Sequence, residues 1–133
     1  MIVGQQPSSS CCRLDVSSGA AGPTEFRVAV WNLQETPVVV YRTLPEFDIG
    51  IRIVGEDGRE PELTDYARQL RDQGRGGSMR MTTLKQGESM AQALDLSKLY
   101  VLQKGAYAVM VSRDVFIAEK RIELQSKTNL NVP

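Results

Sequence analysis

From Phe26 onward the chain is a succession of short alternating apolar and polar runs, cut by Gly, Pro, Asn or Asp at intervals of roughly 8 to 12 residues, with one stretch of helical periodicity. This spacing limits the fold more than any other feature. Parallel strands need long crossover connections, usually helices, between them. Strands joined mostly by turns must instead pair antiparallel. About seven or eight strand-like runs with one helical insert predict a β-sandwich or barrel and argue against a parallel sheet.

The clearest run is "FDIGIRIV" at 47–54. Phe47, Ile49, Ile51 and Ile53 fall on one face, and Asp48, Gly50 and Arg52 on the other, the pattern of a half-buried strand. Gly50 marks a bulge or a close backbone approach. "EFRVAVWNL" sets Phe26, Val28 and Val30 against Arg27, Ala29 and Trp31, and the β-branched "VVVYR" follows Pro37. "RLDV" at 13–16 reads as an edge strand, and "SMRMTTL" at 78–84 as a strand. "SMAQALDL" places Met90, Leu94 and Leu96 together. "YAVMVSR" alternates Tyr107, Val109 and Val111 with Ala108, Met110 and Ser112, the first three packing between two sheets after a turn at Gly105. "RIELQS" and "TNLNV" end the chain as one long strand or two short ones. Asp57-Gly58 supplies a hairpin-type turn.

One segment breaks this pattern. Leu63, Tyr66, Ala67 and Leu70 recur at helical spacing, Thr64 can cap, and Gly74 can stop, so a helix is predicted at about 63–73. Residues 1–12, rich in Ser, Gln and Pro, read as a disordered leader, and residues 13–133 as one domain.

Composition removes several kinds of chemistry. The 133 residues include 16 basic and 16 acidic side chains, so no net field points to nucleic acid or an anionic membrane. There is no histidine, hence no commonest general base and no usual serine or cysteine triad. The two cysteines, Cys11 and Cys12, are too few for an all-cysteine zinc site. Being adjacent, they close only a strained eight-membered ring if joined, so free thiols in a mobile segment are expected. A lipid-attachment cysteine is the alternative, but "MIVG" is short for the apolar segment it requires. No apolar run is long enough to span a membrane as a helix. The chain as it stands reads as cytoplasmic, and as secreted or envelope-associated if a signal peptide lies upstream.

The order of "VAVWNLQETPVVV", "FDIGIRI" with "EDGRE", "LKQGESMAQALDLSKLYVLQKGAYAVMV" and "LQSKTNLNV" resembles a family of bacterial immunoglobulin-like domains. The Asn, short gap and Pro-Val motif, and "QGES" followed by "KGAYAV", are similar to the intracellular proteinase inhibitor domain of bacilli. "LDLSKLYVLQKGAYAV" is also similar to the sandwich-like N-terminal region of deuterolysin-type metallopeptidases, whose zinc chemistry needs histidines this chain lacks. The resemblance covers residues 26–132. It implies a mainly β, immunoglobulin-like antiparallel β-sandwich with one short inserted α-helix. The motifs that carry it are turns, strand ends and a core tyrosine.

Candidate functional residues are few. Tyr107 fits the corner tyrosine of a sandwich, its hydroxyl bonded to backbone, better than a ligand site. Asp48, Glu56, Asp57, Glu60 and Glu62 offer hard oxygen ligands for calcium, but lack calcium-loop spacing and read as solvated turn charges. "RQLRDQGRGGSMR" gathers Arg68, Arg71, Arg75 and Arg80 near Tyr66, as a phosphate-tracking groove needs, but Asp65 and Asp72 interrupt it. Asp95 and Asp114 suit acid–base work only if the fold brings them together. Ser112 lacks a glycine elbow. Trp31 anchors a partner if its face is open to solvent and joins the core otherwise. These residues imply no enzyme, cofactor or metal. They favour a non-enzymatic module for a protein partner such as a peptidase or envelope protein, with Trp31, Arg68, Arg71 and Arg75 as contacts. A peptidase inhibitor acting through residues 42–46 or 74–78 is the alternative, and small-molecule or nucleic-acid binding a third.

Overall fold

The computed structural model describes residues 11–73 and 79–133. Eight strands, β1 (Cys12–Ser18), β2 (Glu25–Asn32), β3 (Val38–Arg42), β4 (Ile49–Gly55), β5 (Arg80–Leu84), β6 (Ser89–Asp95), β7 (Gly105–Ile117) and β8 (Lys120–Val132), form two antiparallel sheets. One sheet is ordered β1-β2-β6. In the other, β7 carries β8 on one side and both β3 and β4 on the opposite side, with β5 outside β3. The chain is the mainly β sandwich that its strand spacing predicts. β1 runs alongside β8, and the helical turn α1 (Pro45–Asp48) lies against β6, so the sheets meet along both flanks.

Period-two alternation builds the core. Phe26, Val28 and Val30 of β2, Met90 and Leu94 of β6, Val38 and Val40 of β3, Val109, Val111 and Val115 of β7, and Leu124 and Leu130 of β8 are buried between the sheets. Tyr107 packs partly against this core. Its hydroxyl accepts the Gln103 N–H at 2.9 Å, the corner bond expected of it. Gly105 adopts φ +137°, a region side chains rarely enter, and starts β7 directly after the turn. Gly50 lies in regular register opposite Ser112 without a bulge, and a Cβ there would collide with the Ser112 hydroxyl. The close approach is therefore to a side chain across the strand pair.

The second helix, α2 (Asp65–Gln73), starts where Thr64 caps it, the Thr64 Oγ1 accepting the Ala67 N–H at 3.1 Å. Leu63 precedes it in a bridge to Tyr100, and of its residues only Ala67 is buried. α2 is an appendage to the sandwich.

Three regions differ from the sequence-based expectation. Phe47 and Asp48 do not begin a strand. With Pro45 and Glu46 they form α1, for which Pro at the first turn is well suited. Asp48 consequently turns inward. Second, Cys11 and Cys12 are buried in the core cluster, Cys12 opens β1, and the two sulfurs form a disulfide between neighbours. Pairing of Cys12 with Asn32, and the 2.8 Å bond from Leu33 N–H to the Cys11 carbonyl, hold this segment to β2. Residues 1–10 of the expected leader lie outside the described residues. Third, Asp57-Gly58 makes a turn, with Gly58 N–H on the Gly55 carbonyl at 3.0 Å, but the chain then proceeds to α2 and forms no hairpin.

The β7–β8 hairpin turns on Ala118 and Glu119, which have φ of +50° and +68°. Two-residue hairpin loops of this kind favour Asn-Gly, because left-handed backbone disfavours a Cβ. Thirteen paired residues on each side hold the turn in place. The double change Ala118→Asn, Glu119→Gly is expected to raise stability by roughly 1 kcal/mol through relief of that strain. Chemical denaturation should show a higher midpoint with an unchanged slope.

Candidate functional site

β3 and β4 are two collinear pieces of one strand position beside β7. β3 meets β7 at Val39 and Phe116, and β4 meets it from Ile49 and Arg113 onward, the two registers differing by seven residues. Between the two pieces, residues 43–48 leave the sheet and end in α1. This break opens a cavity of about 260 Å³ lined by Tyr41, Asp48, Met79, Arg113, Asp114 and Phe116.

At the cavity lies a buried polar cluster. The Asp48 and Arg113 side chains are 3% and 4% exposed, with Arg113 Nη2 at 3.8 Å from Asp48 Oδ2. Asp48 Oδ2 also accepts the Thr43 N–H at 2.7 Å and the Gln92 Nε2–H at 2.8 Å, and Oδ1 accepts the Thr43 hydroxyl. Arg113 Nη2 donates to the Tyr41 carbonyl at 2.7 Å. The cluster therefore ties the end of β3, α1 and β7 to β6 of the facing sheet. Its chemistry is that of a satisfied brace: each carboxylate oxygen already accepts a hydrogen bond.

Outside the brace, the corner of the sheet where β3, β5 and β7 meet carries apolar side chains on its outer face, with the Asp114–Arg121 pair beside them. Tyr41 and Phe116 meet edge to face, with ring centroids 5.2 Å apart. Val39 pairs with Phe116, and Met81, 63% exposed, pairs with Tyr41 from β5. Met79 is exposed beside them. Among the described residues, β5 pairs with β3 on one side and with nothing on the other. An open strand edge next to methionines and aromatics is a surface that an extended chain can extend and pack against.

The residues singled out from sequence do not form one site. Trp31 lies half-buried on the outer face of the other sheet, with the Arg13 guanidinium over its ring at 5.4 Å. It is therefore not a core residue, and it belongs to the sheet that does not contain β5. Arg68 is held by Asp65 at 2.9 Å, on α2. Arg71 occupies the last turn of α2, and Arg75 lies outside the described residues, as do residues 74–78 of the suggested inhibitory loop. Residues 42–46 do not extend as a loop. They run from β3 into α1 and are bound back by Asp48.

Asp95 and Asp114 stand on different sheets with different partners. Asp95 caps the single 3-10 turn Leu96–Lys98. Partial burial acts to raise its pKa, but bonds from Ser97 and Thr24 outweigh this and hold it below the usual carboxylate value. Asp114 is 3.4 Å from Arg121. Ser112 is an ordinary strand residue facing Gly50.

A larger cleft, about 570 Å³, lies at the other end of β4 and β7 and holds Glu56, Asp57, Glu60 and Glu62 together with Arg59 and Lys104. Two of its acids serve the turns. Glu56 accepts the Ala106 N–H and Asp57 the Arg59 N–H. Among the described residues, no three acidic or sulfur-bearing side chains come close enough to share a metal ion. The β5 face is the better-defined candidate, because open backbone edge and apolar side chains coincide there.

No helix among the described residues is long and apolar enough to cross a membrane. Sequence could not find the β5 face, because Val39, Tyr41, Met81 and Phe116 come from three separate strands and only their pairing aligns them. No protein-family profile matches the chain, and no curated protein matches it.

Proposed function

We propose that this chain is a non-enzymatic protein-binding module that receives an extended segment of its partner along β5. The single observation behind this is the edge of β5, unpaired among the described residues, beside the outward-facing Met81, Tyr41 and Phe116. Strand addition draws affinity from backbone hydrogen bonds and specificity from alternate side chains. Methionine and aromatic side chains adapt to, and anchor, such partners.

The test compares capture of proteins from a native lysate by the wild-type chain and two variants. Met81→Lys places a charge on the edge and is expected to abolish capture of a specific partner at unchanged thermal stability, because edge lysine blocks strand pairing. Trp31→Ala alters the opposite sheet and is expected to leave capture intact. If Trp31→Ala abolishes capture and Met81→Lys does not, the binding surface lies on the other sheet and this proposal fails.

A further inference from the structure

We infer that the segment received by β5 carries a carboxylate at the position facing Arg80; this rests on the strand addition proposed above. Arg42 and Arg80 are direct cross-strand partners at the ends of β3 and β5. Like charges directly opposite one another destabilise a strand pair. Arg13, Arg68, Arg113 and Arg121 each lie beside a carboxylate. Among the described residues, neither Arg42 nor Arg80 has an ion pair or side-chain hydrogen bond. The acids nearest in sequence to Arg42 are occupied: Asp48 in the buried brace, and Glu46 accepting the Tyr66 hydroxyl at 2.8 Å.

The register shows where relief can come from. Arg42 and Arg80 continue the row formed by Val38 with Leu84 and Val40 with Thr82. A strand added outside β5 extends every row by one residue, with its Cβ about 5 Å from that of the β5 residue. A carboxylate in the Arg80 row neutralises the outer member of the repelling pair, and the guanidinium fork can donate to both of its oxygens. Four residues along the added strand, the Leu84 row calls for an apolar side chain, and the Met81 row, on the other face, for another. The partner segment is thus an extended apolar strand with an acid near one end.

The probes are capped, fluorophore-labelled hexapeptides with Glu at the position facing Arg80, Val at those facing Met81 and Leu84 and Thr elsewhere, written in both chain directions (Glu-Val-Thr-Thr-Val-Thr and Thr-Val-Thr-Thr-Val-Glu), and the same peptides with Gln in place of Glu. Both placements are needed because the added strand can run either way. Fluorescence anisotropy with the full chain is expected to show a Glu peptide binding roughly fivefold tighter than its Gln counterpart, the size of a favourable cross-strand ion pair. The difference should vanish in Arg80→Gln and shrink as salt is raised. Arg80→Gln removes the like-charge contact, so its thermal midpoint should equal or exceed that of the wild type, which separates lost binding from lost folding. Equal binding of Glu and Gln peptides, both abolished by Met81→Lys, overturns the acid requirement and leaves strand addition standing. No binding by any peptide overturns both. A concentration-dependent dimer that Met81→Lys dissociates gives the edge to a second copy of the chain, and the inference falls.

Discussion

Asp48→Ala is expected to destabilise the fold by about 3–5 kcal/mol, the usual cost of leaving one member of a buried ion pair without its partner. The mechanism is specific. The change removes the acceptor for the Thr43 amide, the Thr43 hydroxyl and the Gln92 amide, and leaves the Arg113 guanidinium, 4% exposed, without its carboxylate. Most domains of this size hold only about 5–15 kcal/mol in total, so a large share of stability goes with one side chain. Urea denaturation of wild type, Asp48→Ala and the double variant Asp48→Leu, Arg113→Met measures it. The double variant should recover most of the loss, because an apolar pair avoids the burial of an isolated charge. A loss under 1 kcal/mol for Asp48→Ala would show that water reaches Arg113 and that the brace is open in solution.

The second large effect is expected at Asn32, which is 0% exposed. Its Nδ2 donates to the Leu84 carbonyl at 2.9 Å and the Thr36 carbonyl at 3.0 Å, and its Oδ1 accepts the Gln34 N–H at 3.0 Å. One side chain thus joins the end of β2 to the β2–β3 connection and to the end of β5, across the two sheets. Asn32→Ala leaves the buried Leu84 carbonyl without this donor, at an expected cost of about 2–4 kcal/mol. Asn32→Asp keeps the shape but turns a donor into an acceptor facing two carbonyls. It should cost at least as much at neutral pH, which a cavity effect alone would not produce. Denaturation curves of the two variants decide between these causes.

Most of the architecture was readable from local pattern. Alternation placed β2, β6 and the first half of β7, β-branched composition placed β3, and the Thr64 cap placed the start of α2, because each depends on residues within one element. What escaped notice depends on contacts between elements. Phe47 and Asp48 continue the alternation of Ile49, Ile51 and Ile53 perfectly on paper. Pro45 and the buried partners of Asp48 override that pattern and draw both residues into α1. Gln92 shares the face of Met90 and Leu94, yet its interior position makes sense only once Asp48 is known to face it. The turn at Ala118 and Glu119 carries no glycine or asparagine, so the hairpin is dictated by the two long strands rather than by the residues that bend. Cys11 and Cys12 looked like part of a loose polar leader, because pairing of Cys12 with Asn32 is a long-range event. The candidate face was hidden for the same reason: no single strand contains it.

The split of one strand position into β3 and β4 also has a consequence for motion. Among the described residues, β4, β7 and β8 share long continuous ladders, whereas β3 joins the β7 ladder through the one pair of Val39 and Phe116, and β5 reaches the rest of its sheet through β3. The β3–β5 corner is therefore held to the rest less by backbone ladders than by side chains, the Asp48–Arg113 brace and Asn32 among them. Amide hydrogen exchange should be faster in β3 and β5 than in the centre of β7. Occupation of the free edge by another strand would close that gap, so the binding event would register as slower exchange well away from the contact itself.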